Sequence, residues 1–403
     1  MRHCWQRGGS AVRSVTITVC AALALQACST PARLTAVPEG ATSKAEIAGM
    51  PGVRYVLPDG VAAFLQDAES SLAAELKTRA ETNAQGALPP VSFLAVSGGG
   101  DNGAFGAGLL AGWTATGSRP EFKLVTGIST GALIAPFAFL GPKYDSSLRE
   151  FYTTISPESV MTKRSIFSAF FSDGLADNAP LKQLVRKSVT AEILNEIAGE
   201  HARGRTLLVA TTNIDARRAV IWNMTKIAAS GHPKRLALFQ EIMVASAAIP
   251  GAFPPTMFDV EFDGRPYQEM HVDGGAFSQV FVYPSTFALK DLGSKAGADR
   301  ERRLYIIRNA KLAPDWSEVE RQTLTILQRA IVSMIQTQGV GDLYRIYAIS
   351  QRDGVDYNLA YIPASFDAPH RQEFDTAYMG ALFKVGFDLA ATGFQWEKRP
   401  PGM

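Results

Sequence analysis

The 403-residue chain is poor in cysteine: its three, Cys4, Cys20 and Cys28, all lie in the first 28 residues. That excludes a disulfide framework or a cysteine-ligated metal site in the body, so chemistry there rests on oxygen and nitrogen groups. An excess of charge of one sign is also missing. Lys and Arg number 40 against 38 Asp and Glu, a net charge of +2 with no polybasic tract, which removes the electrostatic case for a nucleic-acid partner. No internal repeat is present. With 46% hydrophobic and 19% charged residues, the chain is neither disordered nor fibrous and can bury a substantial core.

The N-terminus reads as an export address. Arg2, Arg7 and Arg13 precede an apolar stretch, Val15 to Leu25, of signal-peptide length and too short to span a bilayer. It ends in Leu25-Gln26-Ala27-Cys28, which resembles the lipobox of bacterial lipoproteins. The resemblance implies removal of residues 1–27, a diacylglycerol on Cys28, and a lipid-anchored protein of the bacterial cell envelope. Ser29 rather than aspartate resembles the pattern sent to the outer membrane, facing the periplasm; ordinary secretion with a free Cys28 is the alternative. Residues 28–52, rich in Pro, Ala, Gly, Thr and Ser, read as a flexible tether. Residues 53–88 read as an N-terminal extension, whose spaced apolar residues from Val61 to Leu76 predict an amphipathic helix. Its acids Asp67, Glu69 and Glu75 favour packing on protein over a membrane.

From Pro89 short apolar runs alternate with helical patterns. Val91–Val96 and Phe122–Thr126 read as strands that each end at a glycine cluster, and Gly103–Trp113 and Thr130–Leu140 as the helices that follow. Further strands are expected at 206–210, 219–222, 268–272 and 304–308, and helices at 181–197, 236–248, 318–338 and 373–390. Buried strands joined by helices predict an α/β three-layer sandwich with a mostly parallel central sheet, with its site at the carboxyl ends of the strands.

Three elements carry chemistry. Gly127-Ile-Ser129-Thr130-Gly131 matches G-x-S-x-G, a serine on a tight strand-to-helix turn near a helix N-terminus. Upstream, Ser97-Gly98-Gly99-Gly100-Asp101-Asn102-Gly103 lets backbone N–H groups converge on an oxyanion. Gly98, Gly100 and Gly103 also satisfy G-x-G-x-x-G, but a ribose-binding acid is missing from the end of the second strand, which argues against a dinucleotide site. The third element is His271-Val-Asp273-Gly274-Gly275, an acid at a strand end followed by two glycines.

In this order the elements resemble the patatin-like phospholipase family, from about Val91 to Pro284, with supporting blocks at Asp173–Leu181 and Ala245–Pro255. The resemblance implies a catalytic domain at 89–310, with a C-terminal helical part at 311–403 packed on it. It implies Ser129 as nucleophile, Asp273 as its partner in a Ser-Asp dyad, Gly98, Gly99 and Gly100 as oxyanion loop, and a lipid or phospholipid substrate without cofactor or metal. The N–H of Thr130 is a further candidate donor, and Gly127, Gly131, Gly274 and Gly275 are the motif glycines. The family loop commonly starts with Asp and carries a cation where this chain has Asn102, so headgroup preference is open. A dyad asks a carboxylate to act as base, which burial in an apolar pocket favours by raising its proton affinity.

His271 and His370 allow a histidine triad; packing or support is the simpler reading of His271, and a surface loop that of His370, with His201 and His232 in polar, turn-like surroundings. Ser246 reads as helix packing, and Phe137, Phe139 and Met243 as core or acyl-pocket walls. The competing class is a noncatalytic lipid-binding or scaffold lipoprotein of the same fold, which applies if Asp101-Asn102 disables the loop.

Overall fold

A computed structural model describes residues 33–83, 86–163, 173–295, 297–314 and 316–403. The expected signal peptide, residues 1–27, and Cys28 lie outside the described residues. Nine strands form one sheet: β1 (Arg54–Val56), β2 (Val91–Val96), β3 (Phe122–Gly127), β4 (Thr206–Asn213), β5 (Arg218–Asn223), β6 (Thr256–Phe262), β7 (Arg265–Asp273), β8 (Arg302–Arg308) and β9 (Val355–Tyr361). The order is β1-β5-β4-β3-β2-β8-β9, with β7 pairing with both β4 and β6. From β4 to β9 neighbours are parallel, while β1, β5, β6 and β7 join by antiparallel pairing. The expected mostly parallel α/β sheet is what forms.

Strand β2 shows why the sheet has two cores. All six of its residues are buried; Leu94 and Val96 point into one apolar cluster, Val91, Phe93 and Ala95 into the other, as a period of two requires. The helices used below are α1 (Val61–Glu81), α2 (Gly103–Ala115), α3 (Thr130–Leu140), α4 (Asp145–Thr153), α5 (Ala179–Ser188), α6 (Ala191–Ala202), α7 (Arg235–Ser246), α8 (Thr323–Asp353) and α9 (Thr376–Ala391). On the first face α2 and α9 touch backbone to backbone. Any Cβ at Gly108 or Gly112 would collide with the Phe383 or Phe387 carbonyl, and one at Gly386 with that of Phe105. Phe137, Phe139 and Met243 are buried in this core and do not border the cavity beside Ser129. The second face holds α1 and the carboxyl half of α8 through Phe64, Leu343, Ile346 and Ile349.

Four expectations are corrected. Residues 33–52 are packed rather than tethered: Ala41, Ala45, Ile47 and Met50 are buried, and Glu46 exchanges backbone bonds with Glu261 on β6 at 3.0 and 2.8 Å. The helix expected at 181–197 is two, α5 and α6, because Val189 is extended and Thr190 caps α6 by accepting from the Ile193 N–H. The helix expected at 318–338 starts at Thr323 and continues to Asp353, where left-handed Gly354 ends it. The C-terminal part is not purely helical, since it supplies β9, parallel to β8.

Candidate active site

The register along β4 assembles the site. Gly127, the last residue of β3, lies opposite Val209; two residues further along the same strand, Thr211 lies opposite Asp273 of β7. Strand β7 thus begins to pair where β3 stops, and the two turns meet at the carboxyl end of the parallel sheet.

Ser129 is held at φ 55°, ψ −126°, a conformation that costs a non-glycine residue of order 1–3 kcal/mol and is sustained only by its surroundings. Its flanking glycines are sterically required: a Cβ on Gly127 would strike the Gly131 carbonyl, and one on Gly131 the carbonyl of Val96. The Ser129 N–H donates to Ser246 Oγ at 3.0 Å, and Ser246 Oγ donates to the Ala210 carbonyl at 2.7 Å, with Ser246 fully buried. Ser246 therefore fastens the strained turn to β4 rather than merely packing in α7.

Ser129 and Asp273 are both buried, and the Ser129 side chain is a hydrogen-bonding neighbour that favours the ionised Asp273 carboxylate. Burial pushes the Asp273 carboxyl up from its ordinary value to about 7, against the opposing bonds from Ser129 and from the Gly275 N–H, which donates to Oδ1 at 2.6 Å. A Cβ on Gly274 would meet the Ala210 carbonyl, so this glycine too is fixed by close approach.

In the glycine loop the Gly98 N–H donates to the Gln279 carbonyl at 3.0 Å, so it is not free for an oxyanion; this corrects one expected donor. Gly98 instead packs beside Ser129, where a Cβ would lie 3.2 Å from that of the serine. The N–H groups of Gly99, Gly100 and Thr130 have no acceptor among the described residues, and Gly100 and Thr130 border the cavity at Ser129. Gly99 at φ 153° and Gly100 at φ 59° give the loop a path that side chains would resist. The cavity is otherwise apolar, walled among others by Leu133, Phe151, Ile155, Ile249, Phe253 and Phe374.

The polar replacements in this loop are anchored. Asp101 accepts from His370 Nε2 at 2.7 Å and from the Phe374 N–H at 2.9 Å, and Asn102 accepts from the Tyr378 hydroxyl at 2.7 Å. His370 is thus a partner of the loop, not a bystander on the surface. Asn309, fully buried after β8, holds the loop from the other side: its N–H donates to Ser97 Oγ, its Nδ2 to the Ser97 carbonyl, and its Oδ1 accepts from Gly106. Asp101, His370 and Glu373 are the one group of three possible metal ligands among the described residues, and the bonds to Asp101 account for it as a loop anchor.

His271 is buried and does not reach the serine. Nδ1 bonds Thr211 at 2.8 Å and Nε2 bonds Glu269 at 3.0 Å, so neither ring nitrogen is left for Ser129. Desolvation lowers the histidine pKa, partly opposed by Glu269. Burial alone would raise the Glu269 carboxyl, but the bond from His271 and the buried Arg54 guanidinium at 2.5 Å hold it at about 2. The Arg54-Glu269-His271 chain ties β7 to β1 and so supports the strand that presents Asp273.

The sequence profile of the patatin-like phospholipase family matches residues 94–284. The chain carries a patatin-like phospholipase domain. The matched stretch contains the glycine loop, Ser129 and Asp273. No curated protein sequence matches the chain. Among solved structures, VipD from Legionella pneumophila is similar at 11% identity over 77% of this chain and 68% of that one, with a TM-score of 0.36. Human GIVD cytosolic phospholipase A2 is similar at 11% identity over 77% of this chain and 52% of that one, with a TM-score of 0.29.

Proposed function

We propose that the chain is a serine acyl hydrolase that cleaves acyl esters of lipids, phospholipids included, through a Ser129-Asp273 dyad. The observation that carries this is the buried Ser129, on a strained backbone, beside a carboxylate whose proton affinity burial has raised to about 7. An ordinary aspartate is too weak a base at neutral pH; this one is matched to it.

In the first half-reaction Asp273 takes the Ser129 proton as Oγ attacks the acyl carbonyl carbon. The resulting oxyanion is held by the free N–H groups of Gly99, Gly100 and Thr130, near the N-terminus of α3. Collapse breaks the bond to the leaving alkoxide oxygen, which receives the proton from Asp273, and leaves an acyl-Ser129 ester. Water then attacks that ester with Asp273 as base, and proton return to Oγ frees the fatty acid and the enzyme. The apolar cavity receives the acyl chain and excludes competing water.

The lipobox-like sequence ending in Cys28 supports a further part of this reading: a lipid-anchored location at the outer membrane of a bacterial envelope, facing the periplasm. Cys28→Ser moves the chain out of the membrane fraction on this reading. For the reaction itself, the test is release of fatty acid from phospholipid by the parent and by Ser129→Ala. Turnover that vanishes in the variant supports the hydrolase; unchanged lipid binding without turnover in either protein points to a noncatalytic lipid-binding scaffold.

A further inference from the structure

Helix α8 changes character along its length. Its carboxyl half buries Leu343, Ile346 and Ile349, whereas its amino half projects with its apolar residues turned outward. Toward the body this half presents polar groups: Gln336 Nε2 donates to the carbonyls of Lys311 and Leu312 at 3.1 and 2.9 Å and its Oε1 accepts from Arg308, while Arg329 and Ser333 line the same groove. Away from the body run two adjacent ridges of i, i+4 spacing, Ile326-Ala330-Met334 and Leu327-Ile331-Ile335. Leu327 is 55% exposed and Met334 63%. That is the reverse of an ordinary surface helix, which hides its apolar stripe. Contiguous exposed apolar surface of this kind marks an interaction site.

We propose that this outward face of α8 is a lipid-surface docking site that seats the mouth of the Ser129 cavity against a bilayer; the proposal rests on the reading of the chain as a lipid hydrolase. Three observations select a lipid surface over a protein. The ridge leads to the site: Gln338, just past Ile335, donates to the Phe277 carbonyl at 2.5 Å and contacts Gln279, whose side chain stands beside Gly98. Phe277, beside Gln338, is exposed, and so is Ile249, which walls the cavity. Charge agrees as well. From residue 321 to 341 there is no acid to repel phosphate headgroups; Arg321 stands at the start of this stretch, after Glu318 and Glu320, while Arg329 faces the groove. Trp316, 88% exposed just before the helix, is of the type that settles at the headgroup level.

The test uses the full chain carrying Cys28→Ser, so that no acyl anchor contributes, and compares it with the same chain bearing Leu327→Asp/Ile331→Asp or, separately, Ile326→Asp/Met334→Asp. All replaced side chains are exposed, and circular dichroism melting checks the fold. Co-sedimentation with phosphatidylethanolamine/phosphatidylglycerol vesicles is measured beside turnover of a water-soluble butyrate ester. The expected result is vesicle binding by the parent, a loss of roughly tenfold or more in each variant, and unchanged ester turnover. Vesicle binding unchanged in both variants overturns the proposal, as does a parent dimer that the variants dissociate without any vesicle binding by the parent. Vesicle binding lost in the variants with no ester turnover in any protein upholds the surface and sinks the hydrolase reading instead.

Discussion

Asp273→Asn provides the deepest test of the electrostatics, because it separates stability from activity. In the folded chain burial lifts the Asp273 carboxyl from an ordinary 3.8 to about 7. The folded state therefore holds its proton more tightly than the unfolded state does. The sign follows from linkage: for an acid with a raised pKa, stability is intact below about pH 4 and falls as pH rises, until the folded carboxyl also ionises near 7. Across roughly three pKa units the loss is about 4 kcal/mol at pH 8. At pH 5 only about one unit has been crossed, so about 1.5 kcal/mol is lost. Asparagine carries no charge to desolvate and its Oδ1 can still accept from the Gly275 N–H. The variant is therefore more stable than the parent at pH 8, and its advantage shrinks by about 2–3 kcal/mol at pH 5. For a chain of this size that is a change of about 3 °C in the Tm difference. The assay is thermal or urea unfolding of both proteins at pH 5 and pH 8, with turnover recorded alongside. An inactive variant whose stability relative to the parent is the same at both pH values refutes a buried, high-pKa carboxylate.

Three further outcomes follow from the same geometry. Because Asp273 must be ionised to act as base, kcat/KM falls on the acid side with an apparent pKa near 7, measured with a soluble ester whose own ionisation is silent there. Ser246→Ala leaves the Ser129 N–H without its acceptor; an unsatisfied buried donor costs about 1–3 kcal/mol, so kcat drops roughly tenfold or more with little change in KM, and an unchanged kcat contradicts the positioning role. Arg54→Met strands the buried Glu269 charge and lowers stability by about 3–5 kcal/mol in urea unfolding, whereas Arg54→Met/Glu269→Met recovers much of the loss.

The candidate serine and acid, Ser129 and Asp273, were legible because their neighbours are constrained by backbone contact. Gly127, Gly131 and Gly274 each sit where any Cβ would strike a carbonyl, and such constraints leave a glycine in the sequence. The parallel sheet was legible for a related reason: strands buried on both faces, such as β2, are unbroken apolar runs. What holds the site together left no such trace. Ser246 sits among alanines and valine at a helix end, and nothing local distinguishes a hydroxyl that fastens Ser129 from one that packs. Asn309, Gln279 and His370 find their partners through tertiary approach alone. The partners of the loop departure, Asp101-Asn102, are His370, Phe374 and Tyr378, more than 260 residues away in the chain. Strand β9 was missed because Asp356 and Asn358 interrupt its apolar pattern, although the Asn358 amide is satisfied by the Leu304 carbonyl of β8. The packed segment at 33–52 was missed because small and turn-forming residues serve a tether and a close-fitting edge equally well.

The central claim is that Ser129 is an activated nucleophile, and the most direct measurement is fluorophosphonate labelling of the purified chain with the modified peptide mapped by mass spectrometry. The account predicts a single adduct on Ser129, fast at pH 8, slowed as Asp273 is protonated below pH 7, and lost in both Ser129→Ala and Asp273→Asn. A folded chain that takes no label, or that labels at Ser129 equally well without the Asp273 carboxylate, would contradict it.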